Sequence, residues 1–226
     1  MQSPYKKVIV YDLETGGLKR DFNAITEIAL VVVDLDTLRV EETFSTIIKP
    51  MLDLSNREED SMKEAKSIFK LVAEKDVETK VPTITYKGKK LNAKELDLVS
   101  QDLQQFELLI ERKGTEFNYE QMLKIEGDSR FGDIAKLYFD KTYNPQALNV
   151  TNMSRDMLVD EGIDIDIAID KVKDLFDRYT IGNAKPILAG HNIKKFDNPF
   201  LEKFLLRKGH QLDKMICETQ MLDTLE

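Results

Sequence analysis

The feature that most limits the fold lies near the amino end. Residues 7–11, Lys-Val-Ile-Val-Tyr, form an apolar, β-branched run that reaches Asp12 and is broken by Gly16-Gly17. A second such run covers Ile25 to Val33. A third, more loosely alternating, extends from Arg39 to Ile48 and stops at Pro50. Between the last two, Asp34-Leu35-Asp36-Thr37 reads as a turn, because Asp is favoured there for its bonds to nearby backbone amides. Three strands with short links predict an antiparallel meander.

From Met51 the pattern changes. Met62, Ala65, Ile68, Phe69 and Val72 recur at helical spacing, as do Leu96, Val99, Leu103, Phe106, Leu109 and Ile110. Residues 116–140 read as further helix, and Val81 to Tyr86 with Lys87-Gly88-Lys89-Lys90 as a short hairpin. The stretch 51–144 is therefore expected to be a mostly helical insertion, its apolar stripes facing a core or a partner. A loop of this length with helices of its own points to function: covering a cleft, binding a replication partner such as a polymerase, or closing a homo-oligomer.

After Pro145 the order becomes regular again. Ser154 is placed to cap a helix through Val159, and Ile167 to Tyr179 predicts an amphipathic helix. Lys185 to Gly190 reads as a short strand leading into His191-Asn192. Phe196 to Lys208 reads as a helix closed by Gly209, and Met215 to Glu226 as a strand turning into a helix. The two flanking segments, 1–50 and 145–226, are expected to form one α/β domain around the insertion.

Composition narrows the class. No apolar stretch reaches the ~20 residues a membrane span needs, and the amino end runs straight into a strand rather than a secretory leader. Cys217 is the single cysteine, which fits a reducing compartment, and a cytoplasmic location is expected. A net charge of −8 argues against a general polyanion binder. The charge is uneven, however: Lys185 to His210 holds six Lys/Arg and two acids, so one basic channel can exist on an acidic protein.

Asp12 and Glu14 carry the first chemical signal. At i and i+2 on a strand they project from one face. Two such carboxylates repel each other unless a cation lies between them, and a hard divalent ion such as Mg²⁺ or Mn²⁺ suits oxygen ligands. Asp34 and Asp36 share that spacing but sit in a turn, where a backbone role explains them. The second signal is Gly190-His191-Asn192-Ile193-Lys194-Lys195-Phe196-Asp197-Asn198-Pro199-Phe200-Leu201, with Asp197 at the start of a helix.

These two stretches together resemble the first two motifs of the DEDD (DnaQ-like) 3′→5′ exonuclease superfamily. Asp12-Leu13-Glu14-Thr15-Gly16-Gly17-Leu18 is similar to Asp-x-Glu-Thr-Thr-Gly-Leu; the second stretch is similar to His-Asn-x-x-Phe-Asp-x-x-Phe-Leu. Ala147 to Leu158 is similar to the segment before the second motif in proofreading subunits. The resemblance covers about 5–50 and 145–226. It implies an RNase H-like fold, a mixed sheet flanked by helices, with Asp12, Glu14 and Asp197 as catalytic ligands of two Mg²⁺ or Mn²⁺ ions. It implies contacts to a DNA 3′ end from Thr15, Gly16, Gly17, Leu18, His191, Asn192 and Phe196. Lys194, Lys195, Lys203, Arg207 and Lys208 are phosphate candidates, or else a solvated helix face.

The family's third motif, a His or Tyr base followed about five residues later by a fourth Asp, is not found. Met221-Leu222-Asp223-Thr224-Leu225 resembles the Asp-Thr-Leu stretch that leads toward it, with Ile216-Cys217-Glu218-Thr219 a competing alignment. Three explanations stay open at this point: an incomplete domain, a site completed by a second chain, or a fold kept for binding after loss of catalysis. The substrate is expected to be single-stranded DNA, with RNA trimming and a non-catalytic scaffold as alternatives.

Overall fold

The computed structural model describes residues 7–53, 74–75, 82–86, 89–91, 116–118, 121, 124, 139–217 and 220–225. The chain divides into two compact units, Met1–Met51 with Phe139–Glu226, and Leu52–Tyr138.

The first unit is built on a five-stranded mixed sheet. Its strands are β1 (Lys7–Thr15), β2 (Ile25–Asp34), β3 (Val40–Ile47), β4 (Ile187–Gly190) and β5 (Leu222–Asp223). The spatial order is β5-β4-β1-β2-β3. The expected meander is present: β1 and β2, then β2 and β3, pair antiparallel. β4 joins β1 in parallel, with Val8 opposite Ile187 and Val10 opposite Ala189, and β5 joins β4 in parallel. Parallel pairing brings the carboxyl ends of β1 and β4 to the same end of the sheet, which is where ligands bind in sheets of this kind.

After residue 144 the described α-helices of this unit are α1 (Pro145–Val150), α2 (Arg155–Asp160), α3 (Ile165–Arg178) and α4 (Asp197–Leu206). Ser154 caps α2 as expected, its hydroxyl accepting from the Met157 amide at 3.1 Å. Gly209, at φ +76°, ends the chain's run through α4; the amide of His210 donates to the Leu205 carbonyl at 3.1 Å. A left-handed residue just past a helix is the ordinary glycine stop.

The core explains why these segments fold as they do. Ile9, Tyr11 and Leu13 alternate inward on β1, and Ile28, Leu30 and Val32 do so on β2. Ala168, Ile169, Val172, Leu175 and Phe176 form one stripe of α3; Phe200, Leu201, Phe204 and Leu205 form one of α4. All belong to a single buried cluster, so both helices cover the same face of the sheet. The turn at 34–37 is structural, as read: Asp34 Oδ1 accepts from the Asp36 amide at 3.0 Å and the Thr37 amide at 2.7 Å. Its other oxygen holds Lys7 at 2.7 Å, and that lysine together with the Thr37 bonds pushes the Asp34 carboxyl far down.

Two readings need correction. Residues 116–140 are not uniformly helical, since Glu116–Asn118 is a strand paired with Met51–Asp53. Within the insertion, Glu74–Lys75, Pro82–Tyr86 and Lys89–Leu91 form a three-stranded sheet. Thr83, Ile84, Thr85 and Tyr86 are β-branched or aromatic, which suits a pleated surface, and the hairpin read at 81–90 is there, with Ile84 opposite Leu91. The helices read from 62–72 and 96–110 lie outside the described residues. Lastly, Met215 to Glu226 holds no α-helix among its described residues; a 3-10 turn at Leu212–Lys214 precedes the short strand β5.

Phe176 is fully buried. Phe176→Ala should cost about 3–5 kcal/mol by cavity formation, and Ser154→Ala about 1 kcal/mol by loss of a cap. Urea unfolding of the two variants should rank them in that order; equal midpoints would contradict the assignment of the core.

Candidate active site

The site forms where β1 ends. Leu13 and Thr15 turn inward, so Asp12 and Glu14 share the opposite face, as their spacing requires. Asp12 is exposed. Glu14 is half-buried and sits across from Glu27 on β2. Burial, then the charges of Asp12 and Glu27, raise the Glu14 carboxyl above its ordinary value.

Asp197 is the first residue of α4 and is 3% exposed. Its carboxyl faces the Leu13 amide, so the start of α4 lies beside the strand carrying the other acids. The pKa is pushed up to about 6, first by burial and second by the charge of Asp12; Asp223 adds a smaller contribution, and amide bonds from Leu13 and Asp197 itself oppose the rise. Asp12 therefore acts on both other carboxylates. A buried acid facing a like charge is the situation a divalent cation relieves.

The glycines after Glu14 serve close packing. A Cβ on Gly16 would stand 2.3 Å from the Thr142 carbonyl oxygen. The Asn144 amide donates to the Gly16 carbonyl at 2.8 Å, and the Gly16 amide to Ala24 at 2.8 Å. Buried Asn23 reaches the carbonyls of Gly16 at 3.2 Å and Lys141 at 2.8 Å. Residues 139–144 thus brace the loop that follows the first two acids, although the sequence reading had assigned them to the insertion. Tyr143 anchors the brace, its hydroxyl bonded to the amide and carbonyl of Met51 at 2.8 and 3.0 Å, and Phe139 stacks on its ring at 4.9 Å. The only prior signal was an aromatic pair four residues apart just before Pro145.

The other expected contact residues divide. Leu18 is 84% exposed beside the loop. Thr15 is buried and its hydroxyl donates to the Gly17 carbonyl at 2.7 Å, so that donor is committed within the chain. His191 is exposed, its Nδ1 3.0 Å from the Thr224 hydroxyl. Asn192 adopts φ +58°, a left-handed conformation that Asn tolerates better than most residues. Phe196 is half-buried and packs at 5.2 Å on Phe200. Lys194 and Lys195 are exposed at this same turn. The remaining phosphate candidates have internal partners. Lys203 donates to the carbonyls of Arg20 at 3.0 Å and Asp21 at 3.3 Å, Arg207 pairs with Asp166 at 2.9 Å, and Lys208 pairs with Asp170.

Sequence reasoning missed two supports. The hydroxyl of Tyr11, buried on β1, donates to the Asn198 side-chain oxygen on α4. Burial and the nearby charges of Asp197, Asp223 and Asp12 push that phenol strongly upward, so it stays a neutral donor. Asp223 was read only as part of a stretch leading elsewhere; it faces the His191–Lys194 turn.

An all-carboxylate donor set suits Mg²⁺ or Mn²⁺. Among the described residues, however, no group of three His, Cys, Asp or Glu side chains is gathered closely enough to hold an ion. Asp12 lies within electrostatic reach of both Glu14 and Asp197, yet the trio expected from the sequence is not closed.

No protein-family model and no curated protein matches the chain. Solved structures do. An ExoI/SSB-Ct complex aligns with a TM-score of 0.50 at 11% identity, over 97% of this chain and 28% of that one. E. coli exonuclease I in complex with a dT13 oligonucleotide aligns at 0.49 and 11%, over 96% and 27%. A moderately thermophilic exonuclease I from Methylocaldum szegediense aligns at 0.48 and 13%, over 96% and 27%. The chain thus spans little more than a quarter of these neighbours' length. At such identities the likeness defines the fold: an α/β fold of the exonuclease, RNase H-like type. No helix among the described residues is long and apolar enough to cross a membrane.

The raised pKa of Asp197 sets a pH dependence. Its ordinary value is 3.8, against about 6 in the fold, so the folded state holds this proton more tightly. The stabilisation is complete below about pH 3.8 and is lost as pH rises through 6. Asp197→Asn should therefore be more stable than the parent at pH 8 without metal, with the difference vanishing near pH 4. Denaturant titrations at both pH values test this; an equal difference at the two would contradict it.

Proposed function

We propose that this chain belongs to the DEDD superfamily and is a divalent-metal-dependent 3′→5′ exonuclease releasing nucleoside monophosphates from single-stranded DNA. The observation that carries the reading is Asp197, 3% exposed at the start of α4 and near enough to Asp12 for that charge to raise its carboxyl. Two facts support it: the motif order, and the fold shared with an exonuclease I. That neighbour favours an exonuclease I-like enzyme over the proofreading-subunit type.

In this reading Asp12, Glu14 and Asp197 hold two Mg²⁺ or Mn²⁺ ions, which would activate water and stabilise the leaving 3′ oxygen. Asp12 sits between the other two acids and serves both. Glu14, on the same strand face as Asp12, would complete the set, and Asp197 would bind as its carboxylate. Leu18, exposed at the loop, meets the terminal base. His191, Asn192 and Lys195 line the opposite side, and their turn is held in place from β5.

A second reading is a nucleic-acid-binding module without turnover, favoured by the absence of a closed three-ligand group among the described residues. One assay separates the two. A 5′-labelled single strand with Mn²⁺ should shorten to a ladder from its 3′ end, and Asp12→Ala or Asp197→Ala should lower the rate at least ~10³-fold, about 4 kcal/mol of barrier. Binding without shortening would establish the module instead. Shortening that survives both substitutions would remove the assigned site, and an all-RNA strand degraded faster than DNA would move the substrate to RNA.

A further inference from the structure

Resting on that reading of the site, we propose that Asp223 is a positioning residue that fixes the turn before α4 and so presents Asp197 to the metals. The contacts are specific. Asp223 Oδ1 accepts from the Asn192 amide at 2.7 Å and the Leu225 amide at 3.1 Å; Oδ2 accepts from the Lys194 amide at 3.0 Å. Both oxygens are thus used on amides that flank Ile193, in a turn whose Asn192 is left-handed. Three amide bonds of this kind keep the carboxylate ionised, and its charge complements the exposed Lys194.

Neighbouring residues extend the clamp. β5 pairs with β4 at Leu222–Ala189 and Asp223–Gly190. The Thr224 amide donates to the Gly190 carbonyl at 2.9 Å, and the Thr224 hydroxyl meets His191 Nδ1. Asn198, one residue after Asp197, binds Tyr11 with its oxygen and the Met221 sulfur with its nitrogen at 3.0 Å. Gly190 permits the tight passage, since a Cβ there would stand 2.7 Å from the Tyr11 carbonyl oxygen. The segment 221–224 therefore holds both ends of the link from β4 to α4. Asp223 is the one side chain in it that fixes the turn's own amides.

The test uses the full chain with Mn²⁺ as probe. Mn²⁺ affinity is read by electron paramagnetic resonance, and amide exchange at Asn192 and Lys194 by NMR. Asp223→Ala should expose both amides and weaken Mn²⁺ binding 10- to 100-fold, as loss of an outer support does. Asp223→Asn keeps one acceptor oxygen and should recover much of the affinity. Exchange in β1 and the interior of α4 should stay at the parent level in both variants. Exposed amides with parent-level Mn²⁺ affinity would overturn the proposal, as would amides that stay protected. If Asp12→Ala lowers affinity and Asp223→Ala does not, this proposal alone falls. A parent chain whose Mn²⁺ uptake is insensitive to Asp12 would overturn the function as well.

Discussion

The carboxyl of Asp197 is the point on which the structure turns. It lies almost wholly out of water, faces the Leu13 amide, and stands near the charge of Asp12. Burying an acid beside a like charge costs stability unless something offsets it. The amides of Leu13 and of Asp197 itself offset part of that cost. The remainder marks a place where the fold carries destabilisation that a bound cation would remove, the usual sign of a site kept for function.

The scaffold around it is built to keep this arrangement in place. Parallel pairing of β1 and β4 brings two chemical segments, some 180 residues apart in sequence, to one end of the sheet. The stripes of α3 and α4 fill the opposite face with one continuous core, so the start of α4 has little freedom to move. From the sides, residues 139–144 brace the Gly16 loop and β5 braces the turn at 191–194. Both braces bond to backbone groups, the first through the Asn144 amide and the Asn23 and Tyr143 side chains, the second through the Asp223 carboxylate.

Much of this was legible in the sequence because it rests on period and local chemistry. The apolar runs at 7–11 and 25–33 marked two strands, the spacing of Asp12 and Glu14 put them on one face, the Asp34 turn was readable from its own backbone bonding, and Ser154 announced α2. What escaped has a common physical cause. Phe139 and Tyr143 gain their role from Met51, Gly16 and Asn23, partners far away in sequence. Asp223 looks like an ordinary acid until β5 is seen beside β4. The pairing of Arg207 and Lys208, just past α4, with Asp166 and Asp170 of α3 escaped for the same reason, since only the packing of the two helices reveals it. In the insertion, strand pairing at Glu116–Asn118 prevailed over a weak helical pattern, since local propensity yields to a partner strand.

The most direct test is anomalous diffraction from crystals of the chain soaked in Mn²⁺ near pH 8. Peaks within ligand distance of Asp12 and Asp197, with the Glu14 carboxylate rotated in to join them, are the expected result. Mn²⁺ bound only elsewhere on the protein, with these three carboxylates apart as before, would contradict the assignment of a metal-dependent site to the end of β1.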